Sequence, residues 1–276
     1  MDFAELFTYG FFRNAFFSAL LMSISCGIIG TYIVSRRMVF ISGGITHASF
    51  GGVGLAYFFG FPPLAGAAIF AVLAALTTEN LTRRKIIRND SIIAIMWSLG
   101  MALGIIFVYL TPGYAPNLMS FLFGSIITVN STDLWLMLTL AIVVTVFFIM
   151  LYRPILYVSF DEQFARTRGI PVMFLNYILI ILVALTIVLS IRIAGIILVL
   201  SILTIPQNIA NLFTNRFGVI MIASVIIGFL GSFVGLLVSY YLDIPSGATI
   251  IFTLVVLYLA ARVVKVINFG SMKNHK

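Results

Sequence analysis

His47 is the only histidine within the apolar part of the chain, and it stands in an unusual setting: Ser42-Gly43-Gly44-Ile45-Thr46-His47-Ala48-Ser49-Phe50-Gly51-Gly52. A neutral imidazole offers a nitrogen lone pair to zinc, manganese or iron. An ionisable side chain at membrane depth is costly and usually faces the bundle interior or a water-filled path. The bland alternative is a histidine hydrogen-bonded to a neighbouring helix's carbonyl, and the residue alone leaves both open. Gly44, Ala48 and Gly52 recur every four residues, a spacing that lets another helix approach closely. Gly43, His47 and Gly51 form a second row beside the first. Each interior glycine costs about 1 kcal/mol relative to alanine, so so many call for tight packing, for space around His47, or for both. Thr46 and Ser49 flank the imidazole as hydroxyls on the same path, although such groups more often bond between helices than to a ligand. One histidine is too few for a tight zinc site, which takes four ligands, but a conducting path must also release what it binds.

Three further places carry polar chemistry. Asp243, in Leu242-Asp243-Ile244-Pro245-Ser246, either attracts cations at an outer mouth or caps the helix that follows Pro245. Pro206, with Gln207 and Asn208 after it, interrupts helical bonding and reads as an ordinary kink or as a hinge or inner gate. Residues 153–172 form the longest connection on their side of the membrane. Within it Ser159 is placed to cap a short helix with Asp161 and Glu162 in its first turn, Arg166 and Arg168 near its end and Gly169 closing it. Phe160 and Phe164 give that helix an apolar side, which fits a lipid interface and a cytosolic partner equally.

The elements that must position these residues follow from composition. The 276 residues are 62% hydrophobic and 9% charged, against roughly a quarter charged in a soluble domain. The solvent is therefore largely lipid, where every backbone polar group has to be satisfied internally. Continuous apolar runs without alternation select helices over a membrane barrel. Since about 20 apolar residues span a bilayer core, nine spans are expected, at 14–35, 39–59, 63–82, 91–110, 131–152, 173–191, 193–213, 217–241 and 246–264. A surface helix over 1–13 would widen that to between eight and ten. The segment 118–129 is apolar but too short to cross. The fold expected is an all-α polytopic helical bundle, one transmembrane domain over 1–276, with a short cytosolic helix within 156–170.

Net charge is +8, yet the cations cluster between apolar runs and make no basic face for nucleic acid. With the C-terminus inside, all but Arg13 and Arg192 of the 16 Lys and Arg face the cytoplasm, as positive-inside topology requires. Cys26 stands alone in an apolar run, which excludes an intrachain disulfide and a CxxC site; it reads as a small packing residue. The N-terminus lacks the basic region of a signal peptide. No Lys precedes Ser or Thr, so no Walker A motif exists and the chain does not itself hydrolyse ATP by that route. Glu79, Asp90, Asp133 and Asp243 fall at span ends, so the buried carboxylates of a proton-driven carrier are missing and the driving force is expected on another polypeptide.

Taken together, several stretches resemble one family. Val34-Ser35-Arg36-Arg37-Met38 leads into the His47 segment, Asn89-Asp90 precedes a span, and Leu122-Phe123-Gly124-Ser125 follows. Then come Phe160-Asp161-Glu162-Gln163-Phe164-Ala165-Arg166-Thr167-Arg168-Gly169, Ala194-Gly195-Ile196-Ile197-Leu198-Val199, Leu203-Thr204-Ile205-Pro206 and Asp243-Ile244-Pro245-Ser246-Gly247. In this order and spacing, from about residue 10 to 264, the chain resembles the permease subunits of bacterial and archaeal zinc/manganese/iron ABC transporters, the ABC-3 family. The resemblance implies a plasma-membrane importer subunit, not an enzyme, working as two copies with cytosolic ATPase subunits and an extracytoplasmic metal-binding protein. It implies no permanently bound cofactor. ATP is used by the partner, and zinc, or alternatively manganese or iron, is the cargo. It places the ATPase-coupling helix at Phe160, Asp161, Glu162, Ala165 and Gly169, and the metal path at His47, with Gly43, Thr46, Ser49 and Pro206 along the route. The family commonly has an acidic residue four positions before its histidine. Here that position is Gly43, and having fewer acidic ligands favours zinc over manganese. Two rivals remain: an ABC permease for a bulkier siderophore or vitamin, and, disfavoured, an intramembrane enzyme.

Overall fold

A computed structural model describes residues 7–84, 88–112 and 129–273; the apolar segment 118–129 lies outside them except for Val129, as does Leu122-Phe123-Gly124-Ser125. Eleven helices are described: α1 (Gly10–Ser35), α2 (Val39–Phe59), α3 (Pro63–Arg83), α4 (Asn89–Leu110), α5 (Ser131–Met150), α6 (Tyr152–Phe160), α7 (Glu162–Thr167), α8 (Val172–Ile202), α9 (Ile205–Phe213), α10 (Phe217–Leu242) and α11 (Ser246–Lys273). Eight helical stretches among the described residues are long and apolar enough to cross a membrane, and the protein is an all-α polytopic membrane protein.

The difference from nine expected spans has one cause. The runs expected at 173–191 and 193–213 are not separated by a loop but form one stretch, Val172–Phe213, of 42 residues. That is about twice what a bilayer needs. The break inside it is Gly195, at φ 78 and ψ 166, a backbone conformation open only to glycine. A second interruption at Leu203 and Thr204 separates α8 from α9, with Pro206 in the first turn of the new helix, where its missing N–H leaves nothing unsatisfied. Pro206 therefore starts a helix and does not kink one. Towards the N-terminus α1 begins at Gly10, so residues 10–13 of the surface helix expected over 1–13 belong instead to the first span.

The chain packs as two compact units. One comprises 1–34, 125–145 and 197–276. Its α10 and α11 approach closely: a Cβ on Gly235 would come 2.6 Å from the Ile250 backbone. Against α1 it lays Val225, whose side chain would stand 2.6 Å from a Cβ at Gly27. Buried Gln207 donates through Nε2 to the Cys26 carbonyl at 3.0 Å and the Ile202 carbonyl at 3.2 Å. The second bond satisfies an oxygen that the end of α8 would otherwise orphan. Cys26 is buried and in no disulfide, in keeping with a packing role.

The other unit, residues 35–124 and 146–196, contains the His47 helix. Between Ser35 and Val39 the chain turns in three residues, with Arg37 in the left-handed region at φ 56. At its far end α2 closes on Gly60 (φ 74, ψ 28), whose N–H donates to Ala56 O, the usual glycine C-cap. Pro63 then opens α3. Around α2 the backbones nearly touch. A Cβ on Gly52 would strike the Gly66 carbonyl of α3. One on Gly51 would lie 2.9 Å from the Gly100 carbonyl of α4, and one on Gly54 2.5 Å from the Gly104 carbonyl. In lipid there is no hydrophobic driving force between helices, so such close van der Waals packing is what associates them.

Gly52→Val should therefore be badly tolerated, because the Gly66 carbonyl it would strike is backbone and the Phe70 Cβ beside it cannot rotate away; overpacking of this kind costs about 1–3 kcal/mol or more. Gly43→Ala, where a Cβ meets only the Trp97 ring edge at 3.9 Å, should be neutral or slightly stabilising. Thermal unfolding in detergent, followed by loss of monodisperse protein, compares the two directly.

Candidate functional site

The glycines of α2 divide into two kinds. Gly44, Gly51, Gly52 and Gly54 are packed against α3 or α4 and cannot carry a side chain without displacement. Gly43 is different: only Trp97 comes within 4 Å of where its Cβ would stand. One turn further on, the His47 imidazole stacks on the Trp97 indole, with ring centroids 3.9 Å apart and planes 9° from parallel. His47 Nδ1 is buried and has no hydrogen-bond partner. At that nitrogen the alternative of a histidine satisfied by a neighbouring carbonyl is not what the ring does. A buried polar atom left unpaired costs about 1–3 kcal/mol, so the position needs a reason beyond packing.

Thr46 and Ser49 are buried and bonded within their own helix. Thr46 Oγ1 donates to Ser42 O at 2.7 Å and Ser49 Oγ to Thr46 O at 2.6 Å. Their hydrogens are thus engaged, neither bonding to another helix, while the oxygens keep lone pairs. Among the described residues no three His, Cys, Asp or Glu side chains gather as a metal site.

Trp97 is the residue that sequence reasoning missed. Ile93, Trp97, Gly100 and Gly104 fall at i, i+4, i+7 and i+11 of α4, one face of a helix. That face meets Gly44, His47, Gly51 and Gly54 of α2 in the same order. Gly100 and Gly104, spaced as Gly44 and Ala48 are, were the available signal. A single tryptophan one turn before Gly100 then falls opposite the histidine.

Asp243 and Pro206 belong to the other unit. Asp243 is exposed and takes a left-handed backbone (φ 52, ψ 46) with its N–H donating to Ser239 O, so it closes α10. The cap expected on the following helix is in fact a cap on the preceding one, formed by backbone and not by the carboxylate. Pro206 is buried at the start of α9.

The connection over 153–172 folds as two short helices. Ser159 does not head the second. It lies in the last turn of α6 and donates to Ile155 O at 2.7 Å. Asp161 is the cap: its backbone is extended (φ −149, ψ 99) and its carboxylate accepts from the N–H groups of Gln163 and Phe164, both at 2.9 Å. An extended residue is what an N-cap requires, and Ser159, still helical, cannot supply it. Gly169, at φ 73, ends the turn as expected. Ala165 is fully buried against the rest of the unit, whereas Phe160 is 65% exposed and Phe164 40%.

Glu162 fastens this segment. Its Oε1 accepts from Arg36 Nη2 at 2.8 Å and from Asn176 Nδ2 at 3.0 Å. Burial alone would raise this carboxyl. The bonds from Arg36 and Asn176, with the charges of Arg36 and Arg83, outweigh burial and hold it below the ordinary value of 4.5. Arg83 also pairs with Glu79 at 2.6 Å and lies over the Tyr177 ring.

An all-helical chain with a glycine-packed histidine helix and a helical elbow held between spans has the build of a transporter's membrane subunit. The model of the ABC 3 transport family matches residues 8–265, and the chain belongs to that family. It is 42% identical over 251 residues to an uncharacterized membrane protein of Synechocystis sp., covering 91% of this chain and 89% of that protein. It is 34% identical over 259 residues to the manganese transport system membrane protein MntC of Halalkalibacterium halodurans, covering 94% and 89%. Its structure is similar to PsaBC from Streptococcus pneumoniae in complex with Fab, with a TM-score of 0.83 and 29% identity over 94% of this chain and 95% of that one.

Because the Glu162 carboxyl is depressed on folding, its contribution is present above its unfolded value and is lost as pH falls through the folded one. A dye on Gln163→Cys, selective because Cys26 is buried, should keep a constant anisotropy from pH 8 to about 5 and lose it only below about 4.5. Glu162→Gln should be mobile throughout and show no such step.

Proposed function

We propose that the chain is the membrane-spanning subunit of an importer for a divalent transition-metal ion, with manganese as the first candidate. The observation that carries the reading is the His47 imidazole, stacked on Trp97 with an unpaired buried Nδ1, on a helix whose glycines leave open space at Gly43. It fits a ligand that receives a cation in passing. The preference for zinc drawn from Gly43 gives way to the names of relatives: MntC of H. halodurans and the manganese import system permease protein ScaB of Streptococcus parasanguinis, the latter 32% identical over 251 residues. Imidazole suits several of these metals and selects none by itself.

In this reading two copies of the chain lie in the plasma membrane with the C-terminus cytoplasmic, each copy acting as one permease domain. An extracytoplasmic protein delivers the ion and cytosolic subunits hydrolyse ATP. His47 offers transient coordination, and the hydroxyl oxygens of Thr46 and Ser49 are acceptors beside it. Gly43 keeps the neighbouring volume free. Asp243, exposed at the end of α10, attracts cations at the outer mouth, and Pro206 marks a helix start where the inner path changes course. The segment 160–169 presents Phe160, Asp161 and Phe164 to the ATPase while Glu162, Ala165 and Gly169 hold its shape. A single nitrogen ligand binds weakly, which is what rapid release demands.

In a strain lacking the chromosomal copy, His47→Ala should reduce manganese accumulation to background while the protein still reaches the membrane in normal amount. Trp97→Ala should cost about tenfold, the scale on which loss of a ligand's orienting neighbour acts. Accumulation of manganese, zinc and iron measured side by side decides the cargo; wild-type uptake by His47→Ala would refute the role given to that residue. Gly43→Asp, whose Cβ would meet only the Trp97 ring at 3.9 Å, should tighten manganese retention.

A further inference from the structure

Arg36, the partner of Glu162, occupies an unusual position. It lies in the three-residue turn between α1 and α2, so it is joined to the His47 helix by Arg37 and Met38 alone. Its guanidinium reaches 122 residues along the chain to the elbow between α6 and α7. Nη1 donates to the Val158 carbonyl at 2.8 Å and Nη2 to Glu162 Oε1 at 2.8 Å. Val158 is in the last turn of α6, where carbonyls lack intrahelical partners and the helix dipole favours a cation. A planar guanidinium is the side chain able to hold a carbonyl and a carboxylate at once. The same Glu162 oxygen takes Asn176 Nδ2, from a buried residue in the second turn of α8.

We propose that Arg36 is the positioning residue through which displacement of the segment 158–169 is passed to α2 and hence to His47. The proposal rests on the importer reading for the source of that displacement, a nucleotide-hydrolysing partner pressing on the exposed side of α7. The physical basis is continuity. From Glu162 to Arg36 there is one charge-assisted bond, and from Arg36 to Val39 a turn too short to absorb movement. Arg37 holds that turn at φ 56, a left-handed conformation that confines it. From Val39 to His47 the path is a helix, about 1.5 Å per residue, seated without slack against α3 and α4 by Gly44, Gly51, Gly52 and Gly54. The Asp161 carboxylate, by contrast, accepts only from the Gln163 and Phe164 N–H groups of its own turn; it shapes α7 without linking it to α2.

Two arms test this. In the first, amide hydrogen exchange is followed on the purified chain in detergent. Arg36→Gln and Glu162→Gln should each accelerate exchange in 158–169 and in 38–47 together, whereas Asp161→Asn should accelerate only 162–166. Exchange that rises in 158–169 while 38–47 stays as in the wild type would overturn the proposal, whatever the chain transports. In the second, the complete transporter with its ATPase and metal-binding protein is placed in proteoliposomes. Arg36→Gln should keep ATP hydrolysis within about twofold of wild type and lose most manganese uptake, and Arg36→Lys should restore part of it, since an ammonium can hold one of the two acceptors. Equal loss of hydrolysis and uptake, or uptake at the wild-type rate, would contradict it. A wild-type complex that neither hydrolyses ATP nor takes up metal would instead defeat the importer reading, and the exchange arm would still decide the role of Arg36.

Discussion

The contact of backbone on backbone around α2 is the constraint on which the rest of its unit depends. Lipid tails are as apolar as leucine, so helices in a bilayer gain little by hiding side chains from it and must associate through close packing and polar bonds. Gly52 against Gly66, Gly51 against Gly100 and Gly54 against Gly104 bring α3 and α4 to distances at which no Cβ fits. A helix gripped on two sides in this way has little freedom to rotate. The direction in which His47 points is therefore settled by residues that have no chemistry of their own.

That grip gives the remaining features their sense. Trp97 is on the face of α4 that carries Gly100 and Gly104, so the packing that seats the helices also sets the indole flat on the imidazole. Gly43 lies on the same side as the stack yet is not part of the packing, which leaves room next to the imidazole. On the proposed reading, an ion meets a fixed ligand beside an aromatic wall. A rigid ligand helix is also one that a remote pull moves as a body, and the bonds of Arg36 to Val158 and Glu162 supply a point at which to pull.

Much of this was legible in the residues. Continuous apolar runs and internally satisfied backbones required helices, the four-residue recurrence of small residues marked α2 as a packing helix, and the carboxylates fell at helix ends as expected. The partner of His47 was not legible, because it depends on the register between α2 and α4, which a single sequence does not state. The cap of α7 was misplaced by two residues: Ser159 and Asp161 are both good caps by type, and only the backbone break distinguishes them. Gly195 looked like an ordinary glycine of a long apolar run until its left-handed φ showed that the run is broken there and not looped. Asp243 does cap a helix, but the cap is on α10 and comes from its left-handed backbone, which the side-chain type does not announce.

The most direct measurement is Trp97 fluorescence during a manganese titration. Trp135→Phe removes the other tryptophan, an exposed one, and leaves Trp97 as the sole indole, excited selectively over tyrosine at the red edge. Manganese(II) is paramagnetic and quenches an indole it approaches closely. An ion bound at His47 should give saturable quenching that competes with zinc and disappears in His47→Ala. Emission unaffected by manganese, or quenched equally with and without His47, would contradict the placement of the metal at that imidazole.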